Sequence, residues 1–363
     1  DFLPHSVQFY RQQLQWLGGM GIIVLAVAIL PILGVGGMQL YRAETPGPVK
    51  DNKMTPRIAD TAKHLWYIYL SITIACAGAY WLAGMNVFDS ICHAFSTVAI
   101  GGFSNHDASL GYFNSPMVNV VCTVFLLIAA LNFSLHYAAV SSRSVKGYFK
   151  DPEFKAFFII QASLIGICFL VLTLSGYYTS AEQALDQAMI QAVSISTTAG
   201  FATTDFSIWP TFLPIMLIFS SFIGGCASST GGGLKVVRVC LLFLQGKREV
   251  DRLIHPKAVY SVKFGDRAMP DRVVEAVWGF FSAYAVVFVV LMIGLIATGL
   301  DNLSAFTATA AMLNNLGPGL GSVAANYADV TDAGKWILVT GMVFGRLEVF
   351  SLLVLFSPTF WRS

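Results

Sequence analysis

This sequence predicts an all-α polytopic membrane protein, on three observations. Charged residues make up 12% of the chain against 56% hydrophobic, well below the roughly 25% charge of a soluble domain, and the mean hydropathy is +0.67. Apolar stretches long enough to cross ~30 Å of hydrocarbon recur along its 363 residues. Between them, three short segments each run into a small, polar, glycine-bearing loop: Ser96-Thr97-Val98-Ala99-Ile100-Gly101-Gly102-Phe103-Ser104, Ser196-Thr197-Thr198-Ala199-Gly200-Phe201-Ala202-Thr203-Thr204 and Asn314-Asn315-Leu316-Gly317-Pro318-Gly319-Leu320-Gly321-Ser322. Irregular backbone at membrane depth is tolerated only where protein buries it or where it lines an aqueous path. A path for ions is the expected use, because a ring of backbone carbonyls can replace a cation's hydration shell.

The elements follow in order. Trp16 to Leu33 reads as a span that leads into a basic connector. Next come a span from Leu65 to Leu82, a half-helix from about Val87 to Ser96, the loop at Gly101, and a span from Met117 to Leu135. Phe157 to Leu174, Ala181 to Ser196, the loop at Gly200 and an interrupted span from Phe212 to Leu244 repeat that order. Val273 to Leu300, Leu303 to Leu313, the loop at Gly317 and Ile337 to Phe356 repeat it again. The recurring unit of span, half-helix, loop and span divides the chain into residues 1–63 (the end of a first repeat with its basic connector), 64–153, 154–272 (with a broken second helix) and 273–363. The opening of the first unit would lie before Asp1, so four quasi-equivalent loops are expected in the full pore and three in this chain. The half-helices are too short to span. Asp89, Glu182 and Asp301 lie near their N-termini, where acids suit the helix dipole, and their partially negative C-terminal ends point at the loops.

A net charge of +2 says little, but its distribution is informative. Most of the 22 Lys and Arg residues fall in connectors from Arg42 to Lys63, Arg143 to Lys155 and Lys247 to Arg272, with Lys235 and Arg238 at the approach to the last. Those connectors are expected in the cytoplasm. Asp89, Asp107, Glu182, Asp186, Asp205, Asp301, Asp329 and Asp332 surround the loops, with Lys335 the only basic residue among them. The loops are therefore expected to face the periplasm beneath an acidic mouth that concentrates cations. The basic connectors could sit beside anionic membrane lipid or form a docking face for a cytosolic partner.

Other chemistries find no carrier. Cys76, Cys92, Cys122, Cys168, Cys226 and Cys240 show no CxxC spacing and read as small core residues. HExxH, GxSxG and GxGxxG patterns are absent, so an enzyme is not expected. The glycine-rich run from Gly224 to Gly233 resembles a phosphate loop, but Gly233-Leu234-Lys235-Val236 fails the Gly-Lys-Ser/Thr requirement. Neither a nucleotide nor a nucleic acid is an expected ligand. His93 and His136 read as satisfied buried histidines, and Trp16, Trp81, Trp209, Trp336 and Trp361 as an aromatic belt at span ends.

The run from Gly224 to Gly233 instead reads as a helix break that exposes backbone to a cavity. Arg346 lies at similar depth when both are counted at ~1.5 Å per residue from their span starts. An arginine there costs at least ~2.5 kcal/mol on insertion scales, so it needs a partner or a water-filled cavity: it pairs with Glu348 nearby, snorkels, or bonds carbonyls of the broken span, where it would act as a cation barrier.

The three loops, the broken span Ile223-Gly224-Gly225-Cys226-Ala227-Ser228-Ser229-Thr230-Gly231-Gly232-Gly233-Leu234-Lys235 and Gly345-Arg346-Leu347-Glu348 together resemble the Trk/Ktr/HKT superfamily of potassium transporters, with the bacterial Trk-type membrane subunit most similar. The resemblance covers essentially the whole chain. It implies pseudo-fourfold repeats of helix, pore half-helix, filter loop and helix that build a potassium-channel-like pore. It also implies a homodimer in the bacterial inner membrane and a cytosolic ring of nucleotide-binding, TrkA-like regulatory subunits. Potassium, K⁺, would be the transported ion, held at a selectivity filter of Val98, Ala99, Ile100 and Gly101; Thr197, Thr198, Ala199 and Gly200; and Asn315, Leu316 and Gly317. The implied gate comprises Gly224, Gly225, Cys226, Ala227, Ser228, Ser229, Thr230, Gly231, Gly232 and Gly233, with Lys235 and Arg346. The sequence departs from the family pattern in lacking the first filter loop. The alternative within transport is an H⁺- or Na⁺-coupled potassium symporter, which should place carboxylates on the path; Glu348 is the only acid visible in the span cores.

Overall fold

The computed structural model describes residues 3–24, 58–347, 349, 352–353 and 361. The second half of the first apolar stretch, most of the first basic connector, Glu348 and most of the chain after it lie outside these. The described helices are α1 (His5–Val24), α2 (Ile58–Leu82), α3 (Val87–Val98), α4 (Pro116–Ala129), α5 (Phe133–Ser142), α6 (Lys146–Lys150), α7 (Pro152–Leu174), α8 (Ala181–Ser196), α9 (Leu213–Ser221), α10 (Val236–Ile254), α11 (Asp271–Ala297), α12 (Asn302–Leu313) and α13 (Asp332–Arg346). Three of them, over Lys63–Leu82, Pro152–Leu174 and Asp271–Ala297, are long and apolar enough to cross a membrane.

Burial is arranged opposite to that of a water-soluble domain. The long helices turn apolar side chains outward, Ile159, Leu170 and Leu174 from α7 and Val286, Val290 and Ile293 from α11 among them. The short helices, which carry more polar residues, are enclosed: α8 buries Gln191, Ser194 and Ser196, and α12 buries Ser304, Thr307 and Thr309. With lipid outside, apolar side chains gain nothing by turning inward, and backbone and polar groups must be satisfied within the protein. α3 packs on α1 and α2, α8 on α4 and α7, and α12 on α11 and α13.

Three features differ from the sequence reading. Met117 to Leu135 is not one span: α4 and α5 meet at a bend of 88°. Asn132 makes that bend, because its Oδ1 accepts from Ser134 N–H at 2.8 Å and so caps a new helix instead of continuing the old one. The connector from Lys247 to Arg272, read as a basic connector of an all-α chain, carries β1 (Lys263–Phe264) and β2 (Arg267–Ala268), a small antiparallel hairpin that holds the only strands among the described residues. Trp16 and Trp209 do not join an aromatic belt; they are buried, and Trp16 Nε1 donates to Thr73 Oγ1 at 2.9 Å. Trp81, Trp336 and Trp361 are exposed as expected of a belt. Five of the six cysteines are buried in the core.

The outward-facing pattern yields a paired test on α7. Phe157 is fully buried and Ile159 is 65% exposed. Phe157→Ala is expected to destabilise the protein by about 3 kcal/mol through the cavity it leaves, and Ile159→Ala by much less. Thermal unfolding in detergent reads the difference.

Candidate functional site

The three short helices share their start and their stop. At the N-termini, Asn86 accepts from Asp89 N–H at 2.8 Å, Ser180 from Gln183 N–H at 3.1 Å and Asp301 from Ser304 N–H at 3.1 Å. Each cap satisfies one orphan donor of the first turn. At the C-termini the same pair of bonds recurs: Ile100 N–H to Thr97 O and Gly101 N–H to Ser96 O; Thr198 N–H to Ile195 O and Ala199 N–H to Ser194 O; Asn315 N–H to Met312 O and Leu316 N–H to Ala311 O. This is a Schellman closure, and it requires a left-handed residue after the cap. Ile100, Thr198 and Asn315 occupy that position at φ of 53°, 68° and 57°.

These bonds set the register of the loops. Two residues further on stand Gly102, Gly200 and Gly317, all at positive φ. Gly102, and not Gly101, therefore matches Gly200 and Gly317, and Val98 matches Ser196 as the last residue of its helix. The doublet Gly101-Gly102 conceals this in sequence, although Phe103 after Gly102 and Phe201 after Gly200 would have revealed it.

The loops meet one another through their backbones. A methyl group on Gly102 would lie 1.8 Å from the Ala199 carbonyl oxygen, and one on Gly200 would lie 2.1 Å from that of Leu316. Ala199 and Leu316 hold the same register position, so one contact geometry is repeated from loop to loop. The loops line one cavity of about 530 Å³, with Gly102, Gly200, Gly317, Gln15, Asn315 and Arg346 on its wall. Tyr327 donates its hydroxyl to the Gly317 carbonyl at 2.7 Å. Asn314 is held from both sides, accepting from Tyr284 OH at 2.6 Å and donating to Ser221 Oγ at 2.9 Å.

The break between α9 and α10 lies against the base of these loops. Thr230 Oγ1 donates to the Val98 carbonyl at 3.0 Å, and Gly232 N–H donates to Thr198 Oγ1 at 2.7 Å. Gly232 also abuts the Asn314 carbonyl, where a methyl group would come within 2.1 Å. To the side, Cys226 N–H bonds the Ala130 carbonyl, and the Ser228 carbonyl accepts from Phe133 N–H, so the break meets the α4–α5 bend. Two cations hold its carbonyls. Arg346 Nη1 donates to Thr230 O at 3.1 Å, and Lys235 Nζ donates to Gly231 O.

The sequence profile of the TrkH family, described as cation transport proteins, matches residues 1–363. This chain belongs to the TrkH family. Its relatives there include the Trk system potassium uptake protein TrkH of Vibrio parahaemolyticus, 68% identical over all of this chain and 75% of its own length. The protein of the same name from Escherichia coli K12 is 63% identical over the same shares. The crystal structure of the potassium transporter TrkH from Vibrio parahaemolyticus superposes with a TM-score of 0.90 at 64% identity, covering 99% of this chain and 74% of that one. Membership of the TrkH family makes the chain a membrane transport protein and not an enzyme.

His93 and His136 are satisfied internally. His93 bonds Asp89 O and Ser104 Oγ, both at 2.8 Å, and His136 bonds Tyr148 OH at 2.6 Å and Ile128 O at 3.0 Å.

The loop register has a testable consequence. Gly102→Ala forces its methyl group into a neighbouring backbone carbonyl, whereas the first atom met at Gly101 is the movable end of the Gln15 side chain. Gly102→Ala is expected to lower the thermal unfolding temperature of the purified protein clearly more than Gly101→Ala. The reverse order would refute the register.

Proposed function

We propose that this chain conducts potassium into a bacterial cell across the inner membrane, through a carbonyl-lined selectivity filter closed by residues 224–233 and Arg346. The carrying observation is the repeated contact of one loop's glycine with the next loop's carbonyl, around a cavity that Arg346 also lines. Repetition of one head-to-tail contact is what loops arranged around an axis would produce, which supports a pseudo-fourfold pore in which Gly102, Gly200 and Gly317 take three of the places. Three helix C-termini bring partial negative charge to the cavity, and carbonyls can replace the hydration shell of a potassium ion.

The relatives' names supply the substrate, since they are potassium uptake proteins of a Trk system. A symporter would need ionisable groups on the path, and no Asp or Glu is among the described residues lining the cavity. Asp107, Asp205, Asp301, Asp329 and Asp332 are exposed and are close in sequence to a capped half-helix N-terminus or a loop, whereas whole helices separate the basic connectors from the loops. By the positive-inside bias the loops then face the periplasm. In the closed state the guanidinium of Arg346 stands in the cation path and its bond to Thr230 holds the break in place.

The proposed protein works as a homodimer with a cytosolic nucleotide-binding regulatory subunit, docked on the connector over residues 247–272. Lys247, Arg252 and Lys257 are exposed there, whereas Arg248 is buried against Asp271 at 2.6 Å and serves the fold. The test of docking is therefore charge reversal at Lys247, Arg252 and Lys257 with Arg248 kept. Loss of nucleotide-dependent activation with basal flux retained is the expected result, and full activation would refute the docking face.

Filter and gate are tested by flux in proteoliposomes. Gly200→Ser pushes on the Leu316 carbonyl and is expected to lower selectivity for K⁺ over Na⁺; an unchanged permeability ratio in folded protein counts against the filter. Arg346→Ala is expected to raise basal Rb⁺ flux by about tenfold, equivalent to one lost charge-assisted bond. Flux at or below the wild-type level would remove Arg346 from the gate.

A further inference from the structure

Glu153 and Asp89 are the two buried carboxylates among the described residues; Asp89 is held by Asn105 and His106 beside the first loop, whereas Glu153 joins three parts of the fold. It stands in the first turn of α7, after the cap made when Asp151 accepts from Phe154 N–H at 2.9 Å. Its side chain is enclosed. One oxygen, Oε1, accepts from Ala227 N–H at 2.7 Å and from Val237 N–H at 3.2 Å. Ala227 is inside the break and Val237 is in the first turn of α10, so a single atom bridges the irregular segment to the helix that follows it. A carboxylate at a helix N-terminus is favoured by the dipole and by the free N–H groups there. Bonds to an ionised acceptor are roughly twice as strong as neutral ones.

The same spot receives the hairpin of the connector after α10. Ala227 and Val237 share an apolar cluster with Leu241, Val262, Phe264 and Met269, so the break and the hairpin strands pack in one body. The hairpin turn at Gly265 lies on Pro152, the residue before Glu153, where a methyl group would come within 3.1 Å of the proline ring. The hairpin of the connector that leaves α10 thus packs beside the start of α7, where the preceding basic connector ends. Movement of the break against α7 would break the Ala227 bond, and movement of the start of α10 against α7 would break the Val237 bond.

We propose that Glu153 is a positioning residue for gating, a latch that holds residues 224–233 in the closed arrangement and releases them when the hairpin or α10 moves. The inference rests on the gate reading above. It assigns Glu153 no contact with the transported ion. Arg346 restrains the break from the cavity side and Glu153 restrains it from the cytoplasmic side.

The test uses the whole protein in proteoliposomes of phosphatidylethanolamine and phosphatidylglycerol, with two readouts. One is basal Rb⁺ flux without a regulatory subunit. The other is the modification rate of Cys226, which is buried beside Ala227, by a membrane-impermeant thiol reagent, with the other cysteines replaced by alanine. Glu153→Gln keeps the size and leaves one neutral oxygen for the two N–H groups; it is expected to raise both readouts, by about tenfold if the charge assistance to these bonds is lost. Glu153→Asp keeps the charge but cannot reach both N–H groups, and is expected to give an intermediate rise should the glutamine variant fail to fold. Unchanged labelling and flux in folded Glu153 variants, with Arg346→Ala still raising flux, would overturn the latch and leave the gate standing. Unchanged flux in every variant would overturn the gate reading, and Cys226 labelling would then decide alone: faster labelling upholds the carboxylate as the restraint on the segment, and unchanged labelling refutes it.

Discussion

A peptide N–H or carbonyl at membrane depth has no water to bond, and leaving it unpaired costs several kcal/mol; the rest of this structure depends on meeting that constraint. Three short helices end in loops, residues 222–235 separate α9 from α10, and α4 and α5 meet at a bend over residues 130–132. Each of these would be ruinous alone. Together they satisfy one another, because the orphan carbonyl of Val98 takes the Thr230 hydroxyl, Gly232 N–H finds Thr198, and Cys226 N–H finds Ala130. Irregular backbone is concentrated in one polar body with a shell of long apolar helices around it. A polar interior and an apolar exterior are therefore one consequence, not two.

Glycine enters the argument at the closest approaches. At Gly102 and Gly200 the neighbouring loop's carbonyl occupies the space a side chain would need, so backbone can face backbone across the cavity. That proximity lets carbonyl dipoles, which are short and fixed, share a single space. Thr198 then does two jobs, adopting the left-handed turn of the Schellman closure and presenting its hydroxyl to the break below. A residue with both duties links the shape of the loop to the position of the segment beneath it.

Much of this was legible in the sequence, for reasons that also mark its limits. Hydropathy located the long helices, and the half-helix read as Ala181 to Ser196 is α8 with the same bounds. Cap and closure are local, within a few residues. The bend at Asn132 was hidden because one asparagine in an apolar run does not announce which N–H it will cap. The glycine register was easy to misplace because Gly101-Gly102 offers two adjacent glycines: the Gly-Phe pairs at Gly102 and Gly200 were the one local clue, and the deciding bonds, to Ser96 and Thr97, belong to the folded helix end. Glu153 was invisible as anything but an ordinary first-turn acid, since its partners at Ala227 and Val237 lie more than seventy positions away. Sequence spacing reports short-range bonds well, whereas the contacts that tie the break to the rest of the protein are long-range.

Under the proposed function, the closed arrangement has a chemical logic of its own. The carbonyls of Thr230 and Gly231 are the kind of ligand a partly dehydrated potassium ion accepts, and in this structure the cations of Arg346 and Lys235 already hold them. The protein's own charges thus stand where the substrate's would, which opposes entry twice: by repulsion, and by occupying the dipoles that would stabilise the ion. Moving the break aside must rebond those carbonyls at the moment the path clears, to water or to the passing ion. Because the replacement ligands are available only on an open path, the rearrangement favours two states over a continuum, as a gate requires.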